Sequence, residues 1–217
     1  MKIKACIFDL DGVVVDTARY HYIAWEKIAR DLGFSFSQQE NERLKGVSRM
    51  DSLDILLQLG NISIDNAKKE ELATVKNNLY VSYILKMTPD EILPGVISFL
   101  DELRAGGILI ALGSASKNAM FILDRINLAD KFDAVIDGNK VSKAKPDPEV
   151  FLKGAAELRI EPQNCVVFED AQAGIDAARN AGMNIIGVGQ SDNLRNADFV
   201  ISGFEKMNIK YLTSWYL

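Results

Sequence analysis

Residues 7–17 read IFDLDGVVVDT, and this stretch decides how the rest of the chain is interpreted. It opens as a short apolar run of the kind that forms a buried strand, yet Asp9 and Asp11 interrupt it. Carboxylates are rarely buried without a partner, so a pair at the end of a strand needs a chemical reason. Side chains two positions apart on an extended chain point the same way, and Gly12 then lets the backbone turn away. The pattern predicts that both carboxylates leave the sheet edge toward one point.

Short apolar runs alternate with helical stretches after residue 88, as in a parallel sheet that helices cover on both faces. The predicted strands are residues 5–8, 108–112, 134–136, 165–168, 185–188 and 199–201. The predicted helices between them are residues 96–105, 117–126, 148–158 and 171–181. The predicted fold class is therefore α/β, with a Rossmann-like parallel-sheet core sandwiched by helices.

Residues 17–87 have a different sequence pattern. They contain none of the five prolines, and their apolar residues recur at helical spacing. Gly33 and Gly46 end two of these runs, and SRMD at residues 48–51 has the form of a capping box that opens a third. We predict a helical cap domain of four helices, residues 16–87, inserted into a core domain of residues 1–15 and 88–217. Hinge strands are expected near Asp16 and at residues 86–89.

Composition narrows the class of partner. The 217 residues carry a formal net charge of −5, which gives no signature of nucleic-acid binding. No apolar run approaches membrane-spanning length and no signal-peptide segment precedes the first strand, so a cytoplasmic location is expected. Cys6 and Cys165 lie in apolar runs and are predicted to be buried reduced thiols. We expect a monomer that binds neither nucleic acid nor a membrane.

Ligands of open parallel sheets bind beyond the carboxyl ends of the strands, and three further groups of residues are expected there. Ser114 opens a turn at a helix start, where backbone N–H groups form an anion cradle. Lys145 precedes Pro146, and Glu169 with Asp170 ends another strand. Each group alone has a plain structural reading, as a helix cap or a solvated charge. Together, the carboxylates suit Mg²⁺ while the lysine and serine suit phosphoryl oxygens, which indicates phosphoryl transfer.

Taken in chain order, these motifs resemble those of the haloacid dehalogenase superfamily of aspartate-nucleophile phosphotransferases. The motifs are DLDG at residues 9–12, SAS at 114–116, KP at 145–146 and ED at 169–170. The resemblance covers essentially the whole chain, including a helical cap inserted after the first strand. Three longer runs are similar to the mutases of this superfamily that act on glucose phosphates. They are LKGVSRMDSL at 44–53, GSASKN at 113–118 and VFEDAQAGI at 167–175.

The resemblance assigns roles to the core residues. It implies that Asp9 is the nucleophile that becomes an aspartyl phosphate and that Asp11 is the general acid and base. It implies Mg²⁺ as the cofactor, with Asp9, the backbone carbonyl of Asp11, Glu169 and Asp170 as ligands. The implied holders of the phosphoryl group in transfer are Ser114, the Ala115 N–H and Lys145.

A mutase must also bind the second phosphate of a bisphosphate, which requires a distal anion site on or near the cap. Arg49 follows Ser48 at a predicted helix start and can grip a phosphate with its planar fork, although a solvated arginine is the plain alternative. Lys117 is expected in the first turn of another helix, where a bound anion would offset its unfavourable position. The predicted residues for the sugar and its distal phosphate are Lys45, Gly46, Val47, Ser48, Arg49, Ser52, Ser116, Lys117 and Asn118.

Three further residues receive catalytic roles from the resemblance alone. His21 is the only histidine, and in the family it links arrival of the sugar to the general acid, together with Thr17 and Lys76. Without the resemblance, His21 would be read as a packing residue and Lys76 as a solvated lysine.

The resemblance implies a Mg²⁺-dependent isomerase that interconverts β-D-glucose 1-phosphate and glucose 6-phosphate through an aspartyl phosphate. The partner would be a small phosphorylated sugar, and β-glucose 1,6-bisphosphate would serve as primer and reaction intermediate. The core motifs alone fit equally a phosphatase of the same superfamily, which passes the phosphoryl group from small sugar phosphates to water. A third reading is a phosphosugar-binding regulator without catalysis, and the presence of both Asp9 and Asp11 argues against it.

Overall fold

A six-stranded parallel sheet lies at the centre of the computed structural model, which describes residues 3–190 and 194–215. The strands are β1 Ala5–Phe8, β2 Leu109–Gly113, β3 Ala134–Ile136, β4 Cys165–Glu169, β5 Asn184–Val188 and β6 Phe199–Ile201. Their spatial order is β3-β2-β1-β4-β5-β6, and every neighbouring pair is parallel. The predicted strands and their α/β class are confirmed, and β1 lies in the interior of the sheet beside β2 and β4.

Helices cover both faces of this sheet, because alternate residues of each strand point to opposite sides. They are α5 Val96–Ala105, α6 Ala119–Arg125, α7 Glu149–Leu158, α8 Gln172–Asn180 and α9 Ile209–Ser214. Phe8 packs on one face in an apolar cluster with residues of α5, α6 and α9. Ile7 packs on the other face with residues of α7 and α8. Cys6 and Cys165 are buried free thiols on these two faces, as predicted.

The helix after β2 starts later than predicted. It begins at Ala119 with Asn118 as N-cap, so Lys117 lies before the first turn and the expectation for its helix position is wrong. The segment ahead of the helix is held as a loop by two hydrogen bonds. Asn118 N donates to Ser116 Oγ at 3.2 Å, and Asn139 Nδ2 donates to the Lys117 carbonyl at 2.9 Å.

The chain between β1 and α5 builds a separate helical layer, which we call the cap. Its helices are α1 Ala18–Asp31, α2 Gln38–Asn41, α3 Arg49–Leu59 and α4 Asn66–Ile84, with a 3₁₀ turn at Glu42–Leu44. The cap has its own apolar cluster, built around Trp25, Ile28, Leu53 and Leu56. Side chains of Ser48 and Asp65 accept hydrogen bonds from backbone N–H groups in the first turns of α3 and α4, as N-caps do.

Two backbone segments join the cap to the sheet. Asp16 N donates to the Glu91 carbonyl at 3.0 Å, and Leu93 N donates to the Val14 carbonyl at 3.0 Å. Isolated bridges pair Val15 with Asp11 and with Ile92, and neither segment forms a regular strand in the described chain. The second crossing therefore lies at residues 91–93 rather than at the predicted 86–89. From the end of α4 at Ile84, the chain passes through a further turn and the 3₁₀ helix Pro89–Glu91 before it pairs with the first segment.

Among the helices in the described part of the chain, not one has both the length and the apolar composition needed to cross a membrane.

Candidate active site

The floor of the site is a buried ion-pair triad at the carboxyl edge of the sheet. β1 and β4 are neighbours, so Asp9 and Glu169 come together where these strands end. Lys145 Nζ lies 2.6 Å from Asp9 Oδ1 and 2.9 Å from Glu169 Oε2, and all three side chains are almost fully buried. Burial raises the pKa of both carboxyl groups, with Lys145 opposing the rise. Burial also disfavours the charged lysine, but the two carboxylates outweigh it and hold the Lys145 pKa above its usual value.

Asp170 completes a set of three carboxylates that could hold a divalent cation. One oxygen from each of Asp9, Glu169 and Asp170 lies within 4.8 Å of the others. Burial raises the pKa of Asp170 to about 7, since the opposing charge of Lys45 is outweighed by burial and by the nearby acids. A bound cation would relieve the repulsion among these crowded carboxylates, and hard oxygen donors of this kind fit Mg²⁺.

Local backbone structure leaves Asp170 available for that role. The N-cap of α8 is Ala171, whose N–H donates to Glu169 Oε1 at 3.2 Å, so the plain reading of Asp170 as a helix cap is wrong. Gly12 turns the chain after the two aspartates with a φ of +86°, and a β-carbon there would overlap with the Asp170 carboxylate.

Asp11 is surrounded by groups from the cap and its connection. The Thr17 hydroxyl donates a hydrogen bond to Asp11 Oδ1, and the Tyr80 hydroxyl lies 3.5 Å from the same oxygen. His21 Nε2 lies 3.6 Å from Asp11 Oδ1. Burial acts to raise the pKa of Asp11, but His21, Thr17 and Lys76 outweigh it and leave the pKa below its usual value. Asp11 is therefore ionised in this arrangement and ready to accept a proton.

Lys76 connects to Asp11 through His21. Its Nζ lies 2.9 Å from His21 Nδ1 and sits over the rings of Trp25 and Tyr80, at 4.7 and 4.8 Å from their centroids. Burial and the charge of Lys76 lower the pKa of His21, so the imidazole is neutral. With Lys76 donating to Nδ1, a neutral imidazole carries its proton on Nε2, the nitrogen that faces Asp11.

The loop after β2 carries the residues of the predicted anion cradle. Ser114 is fully buried, and its Oγ accepts a hydrogen bond from Ser116 N at 3.0 Å. Within the described chain, the Ala115 N–H has no recorded acceptor and remains open to a ligand. A phosphoryl oxygen could take that donor.

A cavity of about 700 Å³ lies between the cap and the sheet edge, and it brings most of the predicted residues together. Thr17 and Glu169 are the predicted residues that do not line it, because both are fully buried behind Asp11 and Asp9. The predicted residues that line it are Asp9, Asp11, His21, Lys45, Gly46, Val47, Ser48, Arg49, Ser52, Lys76, Ser114, Ala115, Ser116, Lys117, Asn118, Lys145 and Asp170.

Two of the predicted substrate residues make contacts within the protein. Lys45 Nζ lies 3.4 Å from Asp170 Oδ2 and 3.1 Å from Glu42 Oε1, so its charge faces the acidic cluster. The Ser52 hydroxyl is buried and donates to the Leu44 carbonyl at 3.3 Å, which holds the start of the loop that carries Lys45.

Three cations of the cavity have no carboxylate partner. Within the described residues, Arg49, Lys76 and Lys117 take part in no ion pair. Burial lowers the pKa of Arg49, and burial together with Arg49 lowers the pKa of Lys76 to about 7. Cations that the protein leaves without a carboxylate partner favour an anionic ligand in this part of the cavity.

Two cap residues that contact predicted site residues in the cavity were not predicted from the sequence. Tyr80 contacts Asp11 and lies four positions after Lys76 on α4, a spacing that places both on one helix face and could have indicated it. Asn77 accepts a hydrogen bond from Asn118 across the cavity, and no sequence pattern marks it.

Comparison with known proteins places this geometry in a family. Residues 3–182 match the family model of haloacid dehalogenase-like hydrolases. The chain belongs to this family.

Individual proteins show a more specific similarity than the family model does. The chain is 44% identical over 211 residues to β-phosphoglucomutase of Bacillus subtilis, covering 96% of this chain and 93% of the relative. The crystal structure of β-phosphoglucomutase from Clostridium difficile matches with a TM-score of 0.94 and 45% identity, over 99% of this chain and 97% of that one. A phosphorylated-carbohydrates phosphatase of Thermotoga maritima is 33% identical over 195 residues, covering 88% of this chain and 87% of the relative.

Proposed function

We propose that this chain is a Mg²⁺-dependent β-phosphoglucomutase, which interconverts β-D-glucose 1-phosphate and glucose 6-phosphate through β-glucose 1,6-bisphosphate. The observation that carries the proposal is the distribution of charge in one cavity. Asp9 and Lys145 form a paired phosphoryl-transfer site, while Arg49 and Lys117 line the same cavity without carboxylate partners. A substrate with two phosphates would use both sets of groups. The choice of sugar and anomer is supported by the likeness to the Bacillus enzyme.

The proposed reaction divides the work between two aspartates. An Asp9 oxygen attacks the phosphorus of the bisphosphate, and the bond from phosphorus to the sugar oxygen breaks. Asp11, which took a proton from a sugar hydroxyl in the preceding half-reaction, donates it to that oxygen. In the reverse sense, ionised Asp11 removes the proton of a sugar hydroxyl, whose oxygen then takes the phosphoryl group from Asp9. Turning the bisphosphate between these two half-reactions moves the phosphate from one carbon to the other.

The remaining core groups balance charge and hold the phosphoryl oxygens. Asp9, Glu169 and Asp170, with the Asp11 backbone carbonyl, would hold Mg²⁺, which when bound offsets repulsion between the aspartate and the phosphate. Ser114, the open Ala115 N–H and Lys145 would bind the phosphoryl oxygens.

We also propose residues 16–87 as the cap domain and residues 1–15 with 88–217 as the core domain. The apolar cluster around Trp25, which is built from cap residues alone, supports this division. We also propose a monomer that acts on small phosphorylated sugars in the cytoplasm. The two free buried cysteines support the location, because unpaired thiols are typical of a reducing compartment.

A direct assay tests the function. Purified protein is incubated with β-glucose 1-phosphate, Mg²⁺ and a trace of β-glucose 1,6-bisphosphate, and glucose 6-phosphate and free phosphate are both measured. We expect glucose 6-phosphate to form with little free phosphate, and no product from the Asp9→Asn variant. Release of phosphate without glucose 6-phosphate would instead identify a phosphatase.

A further inference from the structure

One side-chain hydrogen bond crosses the cavity from the cap to the phosphate-binding loop. Asn118 Nδ2 donates to Asn77 Oδ1 at 3.1 Å, and both residues line the cavity. Asn77 belongs to α4 of the cap, whereas Asn118 lies in the loop after β2. The bond is therefore formed only when the cap lies over the sheet edge.

We propose that Asn77 is a positioning residue that couples distal-phosphate binding to cap closure, and this inference rests on the proposed mutase function. An amide nitrogen has two N–H groups, while an amide oxygen can only accept. Because Asn77 Oδ1 accepts, it fixes the Asn118 amide with its donor end toward the cap. The second N–H of Asn118 then remains for an anion in the cavity.

The other end of the coupling is the neighbouring residue on α4. Lys76 Nζ contacts His21 Nδ1 at 2.9 Å, and His21 Nε2 faces Asp11 at 3.6 Å. One turn of α4 thus contacts both the loop that would bind the distal phosphate and the residues around the general acid and base. A phosphate that orders Asn118 favours the Asn77 bond, which holds Lys76 and His21 in place.

The strength of this bond suits a contact that must break in every catalytic cycle. A hydrogen bond between neutral groups contributes a modest net free energy, unlike the buried charge pair of Lys145 and Asp9. The cap can therefore open for the bisphosphate to turn, while closure is still favoured when a second phosphate is bound.

The experiment compares Asn77→Ala with Asn78→Ala, its exposed neighbour on the same helix. For each protein, the assay measures KM for the bisphosphate, kcat, and the ratio of free phosphate to glucose 6-phosphate. We expect Asn77→Ala to raise KM and the hydrolysed fraction by about three- to tenfold, as loss of one such hydrogen bond allows. Asn78→Ala should match the unmodified protein in all three.

A double-mutant cycle with Asn118→Ala separates coupling from a general loss of structure. If the two amides act as a pair, the double variant has a hydrolysed fraction close to that of Asn118→Ala alone. Additive effects in the cycle would overturn the proposal, as would an Asn77→Ala variant that behaves like Asn78→Ala. If the unmodified protein makes no glucose 6-phosphate, the proposed function itself fails, which is a distinct result.

Discussion

At the scale of single residues, the unusual feature is a set of cations that the protein itself leaves without counter-charges. Lys76 is only 2% exposed, and burial and the positive charge of Arg49 both lower its pKa. Burying a charge without a partner costs stability, so selection for folding alone would remove it. A bound phosphate would supply the missing charge, and the two residues lead to separate predictions.

Lys76→Met should stabilise the protein while it abolishes mutase activity. The folded pKa of about 7 lies below the unfolded value of about 10.4, and this difference corresponds to up to about 5 kcal/mol in the free energy of unfolding. Between these values the unfolded state binds more protons, so the stability of the unmodified protein rises with pH. The advantage of the variant is therefore greatest at and below pH 7 and shrinks as the pH approaches 10.

Urea unfolding at several pH values measures this difference. Lys68→Met, a change at an exposed lysine on the same helix, is the control and should show no comparable gain. A stability difference for Lys76→Met that stays constant from about pH 7 to about pH 10 would contradict the assigned cause.

Arg49→Ala should separate the two functions of the site. We expect a loss of mutase flux of about a hundredfold or more, since charge-assisted bonds from arginine to phosphate are strong. Hydrolysis of acetyl phosphate, which carries no second phosphate, should persist. Arg43→Ala, an exposed arginine in the preceding 3₁₀ turn, is the matched control and should leave both activities near normal. An equal fall in both activities of Arg49→Ala would indicate a role in folding.

At the scale of elements, close packing between the start of α8 and the end of β4 determines where the Glu169 carboxyl group lies. Glu169 is fully buried at the end of β4, and the first turn of α8 passes directly against it. A β-carbon on Gly174 would overlap with the Glu169 carboxyl group, so only glycine permits this approach. The position of the carboxylate therefore depends on a residue with no side chain.

Alanine substitutions at two helical glycines should have opposite effects. Gly174→Ala should lower the free energy of unfolding by about 1–3 kcal/mol, as overpacking does, and weaken Mg²⁺ binding. Gly154→Ala in α7 would place its β-carbon 3.5 Å from Ile7 Cδ1, an ordinary contact. This variant should have a free energy of unfolding up to about 1 kcal/mol higher, because alanine has a greater helix propensity than glycine, and it should bind Mg²⁺ normally. Chemical denaturation and calorimetric Mg²⁺ titration check both, and a stable Gly174→Ala variant with normal Mg²⁺ affinity would refute the packing argument.

At the scale of the whole molecule, metal binding and folding should be linked. The raised pKa of Asp170, about 7, means that the folded metal-free protein binds more protons than the unfolded chain between about pH 4 and pH 7. Its stability therefore falls as the pH rises through this range. A cation bound to the ionised carboxylates removes that loss, because it binds the folded state alone.

Mg²⁺ should therefore raise Tm, and the increase should be larger at about pH 8 than at about pH 5.5. Asp170→Asn should abolish most of the increase and its pH dependence. Thermal unfolding with and without Mg²⁺ measures both. An increase of equal size at the two pH values, or one retained in Asp170→Asn, would contradict the assigned metal site.

Much of the core followed from local patterns. Apolar runs alternating with helical spacing predicted all six strands, since a strand buried on both faces must be apolar throughout. The carboxylates after β1 and β4 were predicted to meet because parallel strands end at one edge. The sequence-based predictions were wrong at two positions where loop structure determines the boundary of an element. The start of α6 and the second crossing to the cap depend on hydrogen bonds between segments distant in sequence.

The sequence by itself determined the sheet, the insertion of a helical layer after β1 and the pair Asp9 and Asp11 at the strand end, because periodicity and spacing are local properties. Only the tertiary structure decided which cap residues reach that pair. The contacts of Lys76 with His21 and of Asn77 with Asn118 join residues many positions apart. Such contacts depend on how the cap lies on the core, which is set by the packing of the whole molecule and by no single stretch of chain.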